Sequence, residues 1–506
     1  MIDPALDQHE IKPRDEAERP SKSLNVQQAM MHAMTAGYDA ARTRLRDSER
    51  FAGVDNLSAN AANDFATRDR LRTRVRHEAL NNAFIAGLVR TLANDTIGTG
   101  PRAEVMIDEL DEDAEAEKRD ARNLSRLYER WARATDQAQR LRLMRKAKLQ
   151  NGESFAFARI RDDLVPRTGV PIDWRLIEAD QVESPHMLAG TLGKVSGVVL
   201  GEQNEPVAYE LLERHPGDAG ALASAHESRI VERTNPSGWR QVIHYFVADR
   251  EGQHRGIPEL TSALLPASEM RSYMLAVRAA AETAATLALV LQTQQMPDGM
   301  DADEWEPLEQ LMKFDSNAVT MLPAGYKMEG FQGSQPTNTL DMFQRSQLRE
   351  IGRPVNMPQS LVAGDSQGLS FSAARMDHIP YRRAIEVERS VIEDQILQTE
   401  FETWFRFAQL AGIVPDRYRD AALAPEVEWS WPAHAEIDPL KSANADRVRI
   451  QTGTDSRRAI AQRMGRDPDE LERQVLDEVE KYAEPDRESQ DAQGTPTRDE
   501  EDEDAR

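Results

Sequence analysis

The 506-residue sequence contains no cysteine. That absence excludes disulfides, cysteine-ligated zinc or iron–sulfur centres and thiol nucleophiles together. Long apolar runs are also missing. The richest stretch, "YMLAVRAAAETAATLALVLQ" at 273–292, is interrupted by Arg278 and Glu282, short of the roughly 18 uninterrupted apolar residues of a membrane span. The opening "MIDPALDQHEIKPRDEAERP" has no apolar core of a secretory signal, so a protein of aqueous surroundings is expected. Positive charge is in deficit: 63 Lys and Arg against 87 Asp and Glu leave −24. Surfaces that grip DNA tightly draw on Lys and Arg, so a strong DNA clamp is not expected. DNA that must slide past without sticking remains compatible with the sign.

Catalytic and cofactor motifs are sparse. "GTLGKVS" at 190–196 has neither the four-residue glycine spacing nor the Ser or Thr after Lys of a phosphate loop, and reads as a turn between strands. The ten histidines are scattered, none pairing with another at i+3 or i+4, so no metal site is expected. Carboxylate pairs such as Glu178 with Asp180, or Glu393 with Asp394, fit the solvated faces of an acidic chain. Ser370 and Ser372 have no neighbouring base. No enzyme activity and no cofactor are expected.

Length alone suggests about three domains. Residues 1–25 are polar and read as a disordered arm. Helical spacing then places Leu71, Val75 and Ala79, and after them Phe84, Leu88 and Leu92, on apolar faces, and Leu124, Leu127, Tyr128 and Trp131 on another. From about 152, starting with "ESFAFARIR" at 153, to "WRQVIHYFVAD" at 239–249 the pattern becomes strands of a mixed or antiparallel sheet. An Ala-rich helix follows, firm from Pro266 to Leu291, with small residues including Ala276, Ala280, Ala284 and Ala288 leaving room for a neighbouring backbone. A compact insert comes next: a helix around "EWEPLEQLMKF", then two strands about the "PAG" turn of "NAVTMLPAGYKMEGF". A second helix, "TLDMFQRSQLREIGRPV", leads into "SLVAGDSQGLSFSAAR" at 360–375.

Asp365 is the only ionisable side chain in 361–371. The remaining small, polar and apolar groups, with two glycines for mobility, suit contact without adhesion. The following helix is expected from Phe371 to Ala411, kinked at Pro380, with Ile385, Ile392, Ile396, Phe401, Trp404, Phe405 and Ala408 on one stripe. Later segments read as charged amphipathic helices, one capped by Asp455 or Ser456. Residues 484–506, with ten acidic and three basic side chains, read as a disordered tail.

Nine stretches in register carry a family resemblance: "YDAARTRL" with "LSAN", "LRTRVRHEALNNAFIAGLV", "IGTG", "NGESF", "LIEADQVESP", "PVAYELLERHPGD", "HRGIPEL", "LPAGYKMEGF" and "FSAARMDH". Over roughly residues 38–480 the chain resembles lambda-type portal proteins of tailed bacteriophages. The resemblance implies an α+β portal fold closed into a ring of about twelve subunits at one capsid vertex, through which DNA is packaged and ejected. It implies a wing at 26–252, a stem helix at 253–291, a small α/β clip at 292–336 and a second stem helix at 337–358. Beyond these it implies a tunnel loop at 359–371, a long kinked wing helix at 372–412 and a helical crown at 413–483.

On this resemblance Val362, Asp365, Ser366, Gln367, Leu369 and Ser370 face DNA, while Ala276, Ala280, Ala284 and Ala288 pack the stem. The implied partners are copies of the chain, double-stranded DNA, the terminase large subunit, capsid or scaffolding protein and head-tail adaptors, in the virion and, during assembly, the host cytoplasm. Two departures from the family pattern are Phe51 in place of a tryptophan and Ala373 in place of the second of two paired serines. A nucleic-acid-acting enzyme and a structural adaptor without DNA passage are the rival readings.

Overall fold

Apolar residues at helical spacing, with capping side chains ahead of them, generate most of the elements. The computed structural model describes residues 56–106, 114–184, 193–218, 227–286, 290–293, 326–329, 340–434 and 439–491. The chain divides into two compact units, Met1–Ser58 and Ala59–Arg506, and every element below belongs to the second. The expected N-terminal arm, the helix around "EWEPLEQLMKF" and residues 492–506 lie outside the described residues.

Helix α1 (Phe65–Asn81) opens on Asp64, whose carboxylate accepts the Thr67 N–H at 2.8 Å. Asn82 alone separates it from α2 (Ala83–Ile97), accepting the Phe84 N–H at 3.1 Å. Strand β1 (Arg102–Val105), α3 (Ala114–Ala134) and α4 (Gln137–Asn151) follow. The strands expected after residue 152 are present and wholly antiparallel. One sheet places β2 (Ser154–Ile160) between β3 (Ile172–Ile177) and β8 (Val242–Tyr245). The other runs β4 (Lys194–Val195), β5 (Val198–Leu200), β6 (Pro206–Leu212), β7 (Ser228–Glu232). The segment 193–196 is a strand and its turn, as the failed phosphate-loop spacing required.

Helix α5 (Leu264–Thr286) stops before the expected Leu291. Residues Val290–Thr293 form β9 instead, paired antiparallel with β10 (Tyr326–Glu329). The β-branched Val290 and Thr293 favour the pleated backbone over helix. Thus "YKME" does find a strand partner, but one far upstream of the expected turn. Helix α6 (Leu340–Gly352) precedes α7 (Phe371–Ile392).

Pro380 sits inside α7 without ending it, and the long helix also carries a π-turn at Glu393–Leu397. There the Gln395 amide accepts from the Phe246 N–H at 3.2 Å and donates to its carbonyl at 3.1 Å. It takes the place of a neighbouring strand just past the end of β8. Helix α8 (Gln398–Leu410) completes the rod.

The expected wholly helical crown needs correction: β11 (Val427–Ser430) pairs with β1. Its "VEWS" alternates apolar and polar residues with a period of two, which suits a strand. Helices α9 (Pro439–Gln451), α10 (Arg457–Arg463) and α11 (Pro468–Asp491) follow, and α11 runs past the expected start of the tail at 484. Ser456 caps α10, accepting the Ala459 N–H at 3.0 Å.

Three apolar clusters hold these elements together among the described residues. The largest joins α3, β2, β3 and the long helix through Tyr128, Trp131, Phe401 and Trp404. The Tyr128 ring lies 5.3, 5.2 and 5.2 Å from the other three rings, in a range where each pair contributes about 0.5–1.5 kcal/mol beyond burial. All seven residues of the expected 385–408 stripe are buried. The second cluster packs α1 and α2 against the start of α5, the end of α6 and Tyr381 of α7.

Candidate functional site

The segment from α6 to α7 is built from local hydrogen bonds. After a 3₁₀ turn at Arg353–Val355, a short helix at Gln359–Ala363 replaces the first part of the expected loop. Val362 is 4% exposed and packs in the second cluster, so its side chain belongs to the core and not to the surface of the loop, as burial of an apolar side chain favours. The true loop is 364–370. Gly364 and Gly368 have φ of +66° and +79°, a left-handed backbone that other residues adopt only at a cost.

Between them the Asp365 carboxylate accepts the Gln367 N–H at 2.8 Å, and Ser370 caps α7 by accepting the Ala373 N–H at 3.3 Å. That bond uses the backbone of residue 373, so alanine there costs the cap nothing. Asp365, Ser366, Gln367 and Ser370 are exposed, and Leu369 is half-buried. From the sequence no G-x-S-x-G elbow was expected, yet the loop spells G-D-S-Q-G at 364–368, the spacing of one. An elbow needs a strand before its serine. Here a helix precedes it, and no base is hydrogen-bonded to Ser366 among the described residues, so the elbow geometry is not formed.

Helices α5 and α6 pair through Tyr273 and Phe343, ring centroids 4.7 Å apart. Within one chain α5 and α6 leave Leu265 and Met342 each 73% exposed, with Leu275 also uncovered. Ala276 is exposed and Ala280 half-exposed. Ala284 belongs to α5, and Ala288 lies outside the described residues.

The roots of these helices are held by two buried ion networks that the sequence reading did not single out. Glu153, at the start of β2, is fully buried and contacts Arg72, Arg255 at 2.6 Å and His244 at 3.0 Å. It also accepts the Gly256 N–H at 2.9 Å. Burial alone would raise this carboxyl, but Arg255, the His244 hydrogen bond and Arg72 hold it well below the ordinary range. Burial keeps His244 below its usual pKa, so the neutral ring donates from Nε2 to Glu153.

Gly152 and Gly256 touch backbone to backbone, since a Cβ on Gly256 would lie 2.1 Å from the Gly152 carbonyl. In the second network Lys148 reaches Glu388 at 2.7 Å and Glu259 at 3.3 Å, and Arg145 reaches Glu259 at 2.9 Å. Burial opposes ionisation of Glu259, yet Arg145 and Lys148 hold its pKa below normal. One helix, α4, thereby ties the entry of α5 to the middle of α7.

Glu178, Asp180 and His215 bring three ligand atoms within 4.8 Å of one another. Asp180 is already engaged by Arg72 and Arg76, so the trio extends the first ion network. Among the described residues no helix is long and apolar enough to cross a membrane.

Three stretches that meet in these networks, "NGESF", "LIEADQVESP" and "HRGIPEL", are among the nine that carried the resemblance. Comparison with known proteins agrees: the model of the phage portal protein, lambda family, matches residues 47–389. The chain is thus a phage portal protein, a structural class in which no catalytic family is indicated. It belongs to the lambda family of phage portal proteins. A probable portal protein of Halomonas phage phiHAP-1 is 24% identical over 473 residues, covering 88% of this chain and 86% of the relative.

Two solved structures are also similar. One is a chain in the virion of a native gene transfer agent particle, 13% identical, covering 81% of this chain and 94% of that one with a TM-score of 0.46. The other is a chain in the neck of an empty particle of that kind computed with C6 symmetry, 15% identical, covering 75% and 88% with a TM-score of 0.45.

Proposed function

We propose that copies of this chain close into a ring of about twelve subunits by one repeated heterologous interface, forming the channel for DNA at one capsid vertex. In this reading the wing, stem, clip and crown follow the boundaries given above, with α5 and α6 as the stem and β9–β10 in the clip. Residues 364–370 form the constriction. The observation that carries the reading is this exposed, glycine-flanked loop with a single charge, in a chain whose helices α5 and α6 leave large apolar side chains without a cover.

Asp365, Ser366, Gln367 and Leu369 then meet DNA sterically and without strong attraction, which lets the duplex slide. Ser370 acts as the cap that sets where α7 begins. ATP hydrolysis belongs to a terminase docked on the clip, with capsid or scaffolding protein and later head-tail adaptors as the other partners. The protein resides in the virion, after assembly in the host cytoplasm.

Replacing residues 365–369 by a shorter glycine linker tests the role of the loop. Ring assembly is expected to persist while DNA packaged per particle falls severalfold or is not retained. Unchanged packaging and retention would remove the loop from the mechanism.

A further inference from the structure

The acidic balance of the chain makes one feature of α3 stand out. Lys118, Arg122, Arg126, Arg130 and Arg133 recur at three- or four-residue intervals. At 3.6 residues per turn they occupy an arc of about 120° and a line of about 22 Å. The opposite face of the helix is the buried Ala121, Leu124, Tyr128 and Trp131. The stripe forms one wall of an open cleft of about 850 Å³, to which Arg102 and Arg167 also contribute.

Arg133 pairs with Glu129 at 3.3 Å and Lys118 with Glu115 at 3.6 Å. Arg102, Arg122, Arg126, Arg130 and Arg167 have no carboxylate within 4 Å among the described residues, although carboxylates outnumber cations in the chain. The acids across the cleft are already engaged. Asp469 pairs with Arg458 at 2.9 Å, Asp467 caps α11 through the Asp469 and Glu470 N–H groups, and Glu104 accepts from Ser430 and Gln462. Among the described residues the local surplus is therefore cationic and unspent.

We propose that this arginine stripe is a second, sequence-independent DNA contact, away from the loop, which takes successive phosphates of one strand along α3. Guanidinium forks bind phosphate oxygens in pairs, and neighbouring side chains on the helix are spaced about 6 Å apart, close to the step between phosphates on one strand. The stripe holds packaged duplex loosely against the protein without base contacts, whereas the loop holds nothing. The choice of DNA as the polyanion rests on the channel reading above; the existence of an anion site does not.

The test is fluorescence anisotropy of full-length protein with a mixed-sequence duplex of about 30 base pairs, between about 50 and 200 mM salt, with mass photometry of the same samples. With four or five phosphates engaged, affinity should fall on the order of 100-fold over that range. R122Q/R126Q/R130Q should lower affinity at least tenfold and flatten the log–log salt slope by about three, with oligomer mass unchanged. The proposal is overturned if the triple variant binds as the parent does, if polyglutamate displaces the duplex at equal charge concentration, or if assembled protein binds no duplex at low salt. Each of those results leaves the ring, read separately by mass, untouched.

Discussion

Glu153 carries the heaviest electrostatic burden of any side chain at the candidate site. It is fully buried and satisfied only by Arg72, Arg255, His244 and one backbone N–H. Glu153→Gln leaves two buried guanidinium groups short of their counter-charge, and a loss of about 3–5 kcal/mol in urea unfolding at pH 7 is expected. A loss below 1 kcal/mol would show that the network contributes little.

The acid response has a definite sign. His244 is held below 6.5 and Glu153 below 4.5 in the folded chain. The unfolded state therefore binds more protons as pH falls. Stability is complete above about pH 6.5, weakens below it and falls further below about 4.5. In the Glu153→Gln variant the second fall is reduced. None of this was legible as an ion network, because Glu153 after Gly152 and Arg255 before Gly256 are single charges beside glycines, while Arg72 is one of several arginines in α1. Only the fold brings them together. A single charge set in such a context is the signal that could have pointed to them.

Elements were legible where one period dominated. The 385–408 stripe and the strands from 154 to 245 follow their hydrophobic periods directly. The failures came where a short segment had two readings. Val290 and Leu291 continue an apolar helical run yet pair as a strand, "VEWS" lies between helices, and Val362 sits in a loop-like composition but belongs to the core. The π-turn at Glu393–Leu397 has no sequence mark, since it depends on Gln395 meeting Phe246.

At this scale the small residues of α5 make a prediction. Ala280→Leu adds bulk to a half-exposed position, which a lone chain tolerates. In a closed interface it overpacks by about 1–3 kcal/mol per contact. Native mass spectrometry should then show fewer complete rings and more free chains, with the chain's own melting temperature unchanged. Normal ring yield would contradict close stem packing.

For the molecule as a whole, the acidic balance and the buried networks serve one arrangement. Helix α4 locks Glu259, ahead of α5, and Glu388, within α7, to the same pair of cations. On the proposed function, a channel subunit needs a stiff root and a yielding tip, and these networks would be the root and residues 364–370 the tip.

The most direct measurement is the mass and shape of the purified full-length protein by native mass spectrometry with negative-stain imaging. The account predicts a closed ring of about twelve chains around an open bore wide enough for duplex DNA, roughly 20 Å or more. Monomers or dimers at every salt concentration, with capsid and scaffolding protein also present, would contradict it.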